Sequence, residues 1–228
     1  MIKNILINSF IIHSRSFSET SMIYDILTEQ NGLTSVLAKG IKKKKDGFQL
    51  QPFKALQLSY TNANLPILVK HEVETEYTSI MKKHMLIGLY FNELIYRLIP
   101  KNEPLPSLYS LYKSQLEFIS ESNHESDVIA LRFEFLFLKE LGYQLNLSEE
   151  YKNRIDINDM YYYAFGSGFK KVSNSLSIQS IISGASIKLL LDHKFSEVKD
   201  IKSVRNIIRK IIQDLLGNKS IKSFEIID

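Results

Sequence analysis

The sequence predicts an α+β protein in which an amino-terminal OB-fold β-barrel is followed by a mainly α-helical carboxyl-terminal domain. Apolar residues recur with a period of two up to about residue 79, and with a period of three to four from about residue 80. Turn-forming residues divide the first part into five short runs rich in Ile, Val, Thr, Tyr and Phe. Because five short strands fit a small antiparallel barrel, we expect domains at 1–79 and 80–228.

The five predicted strands follow one another in the first domain. Alternation is clearest in the fourth, where Leu56 and Leu58 point to one face and Gln57 to the other. Turns are predicted between the strands where Gly, Asn and Asp cluster, as in QNG, KDG and NAN. The strands are the runs FIIHS, TSMIYDILT, LTSVLAK, KALQLSY and ILVKHEVETEY.

Three helices are predicted directly after the barrel. Residues 85–99 are apolar nearly all round and precede Pro100, which predicts a buried helix that ends there. Residues 107–119 and 126–142 follow, with apolar positions three and four apart. The last of these begins at Ser126, an expected N-cap, and ends in a glycine, which commonly terminates helices.

The remainder of the second domain has a clear period only near its end. Apolar residues three and four apart from Ile201 to Leu215, followed by Gly217, predict an amphipathic helix. The segment of about 143–175 is polar and tyrosine-rich, and we expect it to be an irregular insert. Its short GSG is expected to be a turn rather than a phosphate-binding loop.

Composition and charge narrow the classes of function. A chain of 228 residues with 44% apolar residues can form a real core, which excludes a disordered protein. The absence of cysteine excludes disulfides, thiolate zinc sites and a cysteine nucleophile. No uncharged run approaches the length of about 20 residues that a membrane helix needs, and no signal peptide is visible, so we expect a cytoplasmic protein. The net charge of +4 is concentrated in residues 39–54 and 194–222.

The sequence contains no P-loop, dinucleotide fingerprint, nucleophile elbow or H-E-x-x-H motif. The five histidines are scattered without metal-binding spacing. Glu72, Glu74 and Glu76 fall on one face of a predicted strand and leave a metal-dependent nuclease open as an alternative. A strand edge that faces solvent explains the three glutamates equally well.

Five lysines crowd the predicted connection between the third and fourth strands. Such a density of like charge needs solvent or anions around it. The loops of an OB-fold commonly bind single strands, and Phe48 and Phe53 lie close by as candidates for base stacking. The pattern therefore favours sequence-tolerant nucleic-acid binding, while a protein-interaction module with merely solvated lysines stays open. The lysines are Lys39, Lys42, Lys43, Lys44 and Lys45.

The second basic block lies on the predicted amphipathic helix at the end of the chain. Lys202, Arg205, Arg209 and Lys210 fall on or beside its polar side. A solvated helix face explains these side chains at least as well as a second contact with nucleic acid.

Several segments can be compared, in this order along almost the whole chain, with those of a known family. The stretch SFIIHSRSFSETSMIYDILTEQNGLTSVLAKG, followed by LQPF, has a histidine-arginine, E-x-S and A-K-G pattern ahead of a basic loop, and in this it resembles the amino-terminal domain of the bacterial RecO family. GLYFNELIYRLIP, ALRFEFLFLKELGY and LGNKSIKSFEI resemble its helical landmarks and its closing G-x-K-x-L-K-S.

One departure from the family concerns the insert. Many members carry a four-cysteine zinc module in the region that aligns with 143–175, whereas this chain has no cysteine. The resemblance therefore implies a zinc-less member without a cofactor. We expect the insert to be held by aromatic packing of Tyr161, Tyr162, Tyr163, Phe165 and Phe169.

The resemblance implies a non-enzymatic recombination mediator. Such a protein binds single- and double-stranded DNA, anneals complementary strands, and helps RecA replace single-strand DNA-binding protein (SSB) at gaps. Its implied partners are RecR and the acidic, hydrophobic tail of SSB. The five lysines would track phosphates, with Arg15 and Lys54 as neighbours, and Lys219 and Lys222, which match the closing motif, would add charge on the helical domain.

Overall fold

The computed structural model describes residues 5–47, 50–143, 153–164, 167–172, 181–217 and 219–225. The chain forms two compact units. The first unit is Met1–Ser122 together with Ile221–Asp228, and the second is Asn123–Ser220. The division expected near residue 80 falls inside the first unit, after its last strand, and stays a prediction about folding domains.

Five antiparallel strands form the sheet of the first unit, in the order β3-β2-β1-β4-β5. The backbone N–H of Leu37 on β3 donates to Pro66 O at 2.8 Å, and Leu37 forms a parallel bridge with Ile67 just before β5. The two edge strands therefore meet and close the sheet into an OB-like barrel. All five predicted strands are confirmed. They are β1 (Ile7–Ser16), β2 (Met22–Thr28), β3 (Gly32–Ala38), β4 (Lys54–Tyr60) and β5 (Leu68–Glu76).

The core of the barrel is built from the apolar side of the strand alternation. Leu56 and Leu58, predicted to share a face, are both buried in it beside Ile11. Complete burial of each such side chain stabilises the fold by about 1.5–3 kcal/mol. A bulge in β1 shifts the register between Ile11 and His13, and beyond it the strand pairs His13 with Asp25 on β2.

Three helices follow the barrel in the first unit: α1 (Thr78–Lys83), α2 (Met85–Leu98) and α3 (Pro106–Glu121). As predicted, α2 ends just before Pro100, because the residue that precedes a proline is driven out of the helical region. Gly88 lets α2 approach the barrel, since a Cβ there would lie 2.6 Å from the ring of Phe53.

The end of the described chain returns to α2. The carboxylate of Glu93 accepts the backbone N–H groups of Lys222 and Ser223 at 3.0 and 2.9 Å, and the Ser223 hydroxyl at 2.5 Å. Burial favours a higher pKa for Glu93, but the hydrogen bonds from Ser223 and Lys222 outweigh it and hold the pKa below its ordinary value. Part of the closing sequence motif therefore docks the tail onto the first unit.

In its described residues the second unit contains helices and a small sheet, in which β6 (Met160–Ala164) lies between β7 (Gly168–Lys171) and β8 (Ile182–Ser183). The predicted helix that begins at Ser126 is confirmed, and it ends in a Schellman turn where Gly142 has φ +80°. The N-cap prediction is wrong, because Glu125 holds that position and Ser126 already lies in the helix. The elements are α4 (Ser126–Glu140), β6 (Met160–Ala164), β7 (Gly168–Lys171), β8 (Ile182–Ser183), α5 (Gly184–Leu191) and α6 (Ile201–Leu216).

Part of the insert that was expected to be irregular is a β-hairpin. Strands β6 and β7 pair antiparallel from Tyr161 with Lys171 to Ala164 with Gly168. The rings of Tyr163 and Phe169 meet edge to face with their centres 5.2 Å apart, which is the expected kind of aromatic packing. Phe165 and the first glycine of the GSG lie outside the described residues.

The basic residues of α6 do not share a solvated face. Arg205 is 4% exposed, and its Nη2 lies 3.0 Å from Oε1 of the fully buried Glu134 on α4. It also pairs with Asp127, and Arg209 is buried beside the same glutamate. The prediction of a polar, solvated position is therefore wrong for both arginines, because a buried acid on α4 compensates their charge. It holds for the exposed Lys202 and Lys210.

Among the described residues, the helices are too short or too polar for any of them to cross a membrane.

Candidate nucleic-acid interface

The lysine loop, residues 39–47, is folded against the end of the barrel. Its Ile41–Lys43 segment is a 3-10 helix whose Ile41 side chain is buried in the barrel core. The backbone N–H of Lys42 donates to Thr20 O at 3.1 Å, and its ammonium donates to Ser18 O at 2.8 Å. These contacts attach the loop to the β1–β2 connection and fix the backbone that carries the neighbouring lysines.

The other four lysines of this loop are exposed to solvent. In the described part of the chain none of them forms an ion pair with a carboxylate. The acid of the loop, Asp46, lies 3.4 Å from Nε2 of His71 instead. The loop therefore presents an uncompensated positive surface, which attracts phosphate. Besides Lys42, which is exposed as well, its lysines are Lys39, Lys43, Lys44 and Lys45.

Arg15 is positioned by a buried carboxylate that the sequence analysis missed. Asp25 on β2 is fully buried and accepts the Arg15 guanidinium at 2.8 Å, and His13 Nδ1 lies 3.1 Å from the same oxygen. On its other oxygen it accepts the Lys101 ammonium at 2.7 Å and the Ser35 hydroxyl at 2.5 Å. Arg15 and Lys101 remain 43% and 41% exposed, so the buried acid holds two cations at the surface.

The charge state of Asp25 follows from these contacts. Burial favours a higher pKa for Asp25, but hydrogen bonds from Lys101, Ser35 and His13 outweigh it and hold the pKa below its ordinary value. The carboxylate is therefore ionised at neutral pH. A lone acid within the apolar run IYDILT was the sequence signal for this cluster, because a buried charge needs partners.

Lys54 lies on β4 in a less accessible position than the loop lysines. Its side chain is 12% exposed, and its ammonium donates to Glu76 on β5 at 2.8 Å. The expected role of Lys54 as a neighbour of the DNA site stays a prediction, with part of its charge compensated within the sheet.

The two lysines of the closing motif lie in different units. Lys222 is exposed on the first unit, where its backbone is fixed by Glu93. Lys219 is exposed on the second unit. The role of Lys219 and Lys222 in DNA binding stays a prediction.

The aromatic stacking candidates near the loop do not form a stacking surface that the structure describes. Phe53 is 1% exposed, buried beneath α2 with its ring against Gly88, so the prediction that it stacks on bases is wrong. It was misplaced because its neighbours in sequence gave no sign that a helix covers it. Phe48 lies outside the described residues.

The three glutamates of β5 are exposed, and two of them pair with lysines. Glu72 pairs with Lys70, and Glu76 pairs with Lys54. Across the described ranges, no group of three or more His, Cys, Asp or Glu side chains lies close enough to hold a metal ion. Two of the three glutamates on which the nuclease alternative rested are therefore engaged in ion pairs.

Comparison with known proteins covers both parts of the chain. The family model described as "Recombination protein O N terminal" matches residues 1–74, and that described as "Recombination protein O C terminal" matches residues 83–223. The chain belongs to the RecO family. The two models follow the same order as the barrel and the helical part, and their match confirms the resemblance drawn from sequence.

Curated relatives that carry the family name cover nearly the whole chain. The chain is 30% identical over 220 residues to the DNA repair protein RecO of Mannheimia succiniciproducens, which spans 94% of this chain and 96% of that relative. The protein of the same name from Psychromonas ingrahamii is also 30% identical, over 95% and 94% of the two chains. The RecO of Tolumonas auensis is 27% identical over 96% and 92%.

Proposed function

We propose that this chain is a recombination mediator that binds single- and double-stranded DNA and anneals complementary strands through its lysine loop. Membership of the RecO family supports a role in recombinational DNA repair. The observation that carries the proposal is the set of four exposed lysines on a loop anchored by Ile41 and Lys42. The positive charge of these lysines is available to phosphate, and the loop backbone that carries them is fixed.

The chemistry of annealing fits this surface. Two strands repel each other through their phosphates, and a cationic surface that displaces counterions from both lowers that repulsion without bond cleavage. Lysines that contact only phosphate carry no sequence information, which suits a protein that must act at any gap. A mediator of this kind needs no catalytic group.

The residues proposed to contact DNA fall into two groups. The first consists of the lysine loop with Arg15, whose guanidinium is oriented by Asp25. The second consists of Lys54, Lys219 and Lys222, to which we assign smaller contributions. The Lys54 ammonium is engaged by Glu76, and Lys219 and Lys222 are not part of the lysine loop.

The proposed partners follow from the family. We propose that the chain acts with RecR and binds the acidic, hydrophobic tail of SSB, so that RecA can replace SSB on single-stranded DNA. An acidic tail needs apolar contacts rimmed by cations. A chromosomal DNA target would place this action in the bacterial cytoplasm.

A strand-annealing assay with fluorescently labelled complementary oligonucleotides tests this function. The wild type should anneal the strands equally with EDTA and with magnesium, and the loop variant Lys43→Ala/Lys44→Ala/Lys45→Ala should anneal much more slowly. A control variant removes three exposed lysines elsewhere, and it should resemble the wild type: Lys82→Ala/Lys83→Ala/Lys139→Ala.

Three results would contradict the proposal. Shortening of the labelled strand only in the presence of magnesium would favour a nuclease. Equal annealing by the loop variant and the wild type would remove the lysine loop from the mechanism. Absence of both binding and annealing by the wild type would favour a protein-interaction module.

A further inference from the structure

A pocket with a volume of about 940 Å³ opens on the first unit, apart from the lysine loop. It lies where the start of β1, the β2–β3 turn, the β4–β5 loop and the segment after α2 meet. Its volume is within the range of about 300–1,000 Å³ that ligand sites occupy. No function was predicted for these residues from sequence, and the lysine loop does not line the pocket.

The charge beside the pocket favours an anionic ligand, because Arg15 and Lys101 share the single carboxylate of Asp25 and one positive charge is left over. Lys101 is the one charged side chain among the described residues that line it. Its ammonium donates to Asp25 at 2.7 Å and to the Ser35 hydroxyl at 2.6 Å. These two bonds fix the ammonium, and within the described chain its third N–H has no acceptor. A ligand phosphate would supply that acceptor.

The remaining polar groups are neutral and offer both donors and acceptors. Asn62 and Asn64 on the β4–β5 loop are exposed at the pocket, and an amide matches the mixed donors and acceptors on a base edge. Ser59 also lines the pocket. It is 3% exposed, and its hydroxyl has no hydrogen-bond partner among the described residues, although a buried hydroxyl normally has one.

Aromatic and apolar side chains complete the lining of the pocket. Tyr60 lines the pocket while it also packs against the barrel core, and its hydroxyl accepts the Asn31 side-chain amide at 2.8 Å, which fixes the ring. Ile7, Pro66 and Pro104 add apolar surface to the lining. A planar ligand with a polar edge fits this combination, because aromatic side chains of single-strand-binding proteins stack on base faces.

We propose that this pocket binds one unstacked nucleotide of a single DNA strand. The base lies against Tyr60 with its edge towards Asn62 and Asn64, and an adjacent phosphate contacts Lys101. One ammonium suits one phosphodiester of a strand, whereas a free nucleoside triphosphate would need several cations. A base in a duplex is held in its stack, so the pocket discriminates single strands from double strands.

This inference rests on the proposed function, because it assumes that the chain binds DNA. The experiment compares affinities by fluorescence anisotropy for a labelled oligothymidylate, for the same strand with tetrahydrofuran abasic sites, and for a duplex of equal length. The proteins are the wild type, the pocket variant Asn62→Ala/Asn64→Ala, and the control Asn206→Ala, which removes an exposed amide on α6.

The pocket variant should lose about tenfold in affinity for oligothymidylate, as expected for two hydrogen bonds. It should bind the duplex and the abasic strand as the wild type does, and the control should be unchanged throughout. A 5-iododeoxyuridine strand should crosslink to the β4–β5 loop or to Tyr60, as mapped by mass spectrometry. Competition by dTMP or dATP should be weak.

The outcomes separate this inference from the proposed function. If the wild type binds both strand and duplex and the pocket variant matches it on every ligand, the pocket inference is overturned while the proposed function stands. Equal losses on strand, abasic strand and duplex would also overturn it, because a phosphate contact would then explain them. Efficient competition by a mononucleotide would replace the strand with a free nucleotide as the ligand. Failure of the wild type to bind any DNA would overturn the proposed function itself.

Discussion

Replacing Asp25 by asparagine tests the cluster that positions Arg15. Asp25→Asn keeps the size of a fully buried side chain and removes its charge. Arg15, Lys101 and Ser35 donate to the carboxylate at 2.8, 2.7 and 2.5 Å. Charge-assisted bonds of this kind stabilise by about 1.5–3 kcal/mol each. Arg15 and Lys101 are over two-fifths exposed, so water can hydrogen-bond to them in the variant and offset part of the lost stabilisation. We therefore expect the unfolding free energy to fall by about 2–4 kcal/mol.

The pH dependence of this loss has a definite sign. The pKa of Asp25 is lower in the folded protein than its ordinary value, despite burial, because Lys101, Ser35 and His13 hydrogen-bond to the carboxylate. Its contribution to stability is therefore complete above the unfolded pKa of about 3.9, and it is lost as the pH falls through the folded value. The difference in unfolding free energy between wild type and Asp25→Asn should be largest at pH 7 and should shrink below about pH 4.

Urea unfolding followed by circular dichroism measures both quantities. At pH 7 the midpoint of Asp25→Asn should fall by about 1–2 M, given slopes of about 2 kcal/mol/M. The control Asp214→Asn changes an exposed acid on α6 and should lie within about 0.5 kcal/mol of the wild type. A loss in Asp25→Asn no larger than in the control, or a difference that does not change with pH, would refute the reasoning.

Two further predictions concern packing. Arg205→Met removes the arginine that lies 3.0 Å from buried Glu134 and leaves Arg209, at 3.9 Å, as the cation beside it, so the unfolding free energy should fall by about 3–5 kcal/mol. The double variant Arg205→Met/Glu134→Leu should recover part of this loss in urea melts, because it removes the buried carboxylate but also the acid beside Arg209. A double variant as unstable as the single one would show that the ion pair is not the cause. Gly88→Ala places a Cβ 2.6 Å from the ring of Phe53 and should cost about 1–3 kcal/mol by calorimetry, so an unchanged melting temperature would contradict the close approach of α2.

Much of the fold could be predicted because its signals are local. The alternation of Leu56, Gln57 and Leu58 and the turns between runs define the barrel strands, and Pro100 marks the end of α2. Strands β6 and β7 were not predicted because they are too short to show a period. Strand β6 has five residues and is rich in tyrosine, and β7 has four residues, two of them lysines. Similarly, α5 was missed because it has eight residues.

Side-chain partners distant in sequence could not be predicted. The α6 arginines are polar on a helical wheel, and only the three-dimensional position of Glu134 shows that Arg205 is buried. In the candidate site the exposure of most loop lysines follows from their like charge. The fixing of Lys42 by the β1–β2 connection and the role of Lys101, which is 76 residues from Asp25, depend on tertiary structure.

Fluorescence anisotropy of a short single-stranded oligonucleotide at several salt concentrations tests the lysine loop most directly. If the four lysines of the loop other than Lys42 each neutralise one phosphate, they contribute about −2.8 to the slope of log affinity against log salt. The variant Lys43→Ala/Lys44→Ala/Lys45→Ala should therefore flatten the wild-type slope by about 2 and bind more weakly at low salt. Identical slopes for the wild type and this variant would contradict the assignment of phosphate binding to the loop.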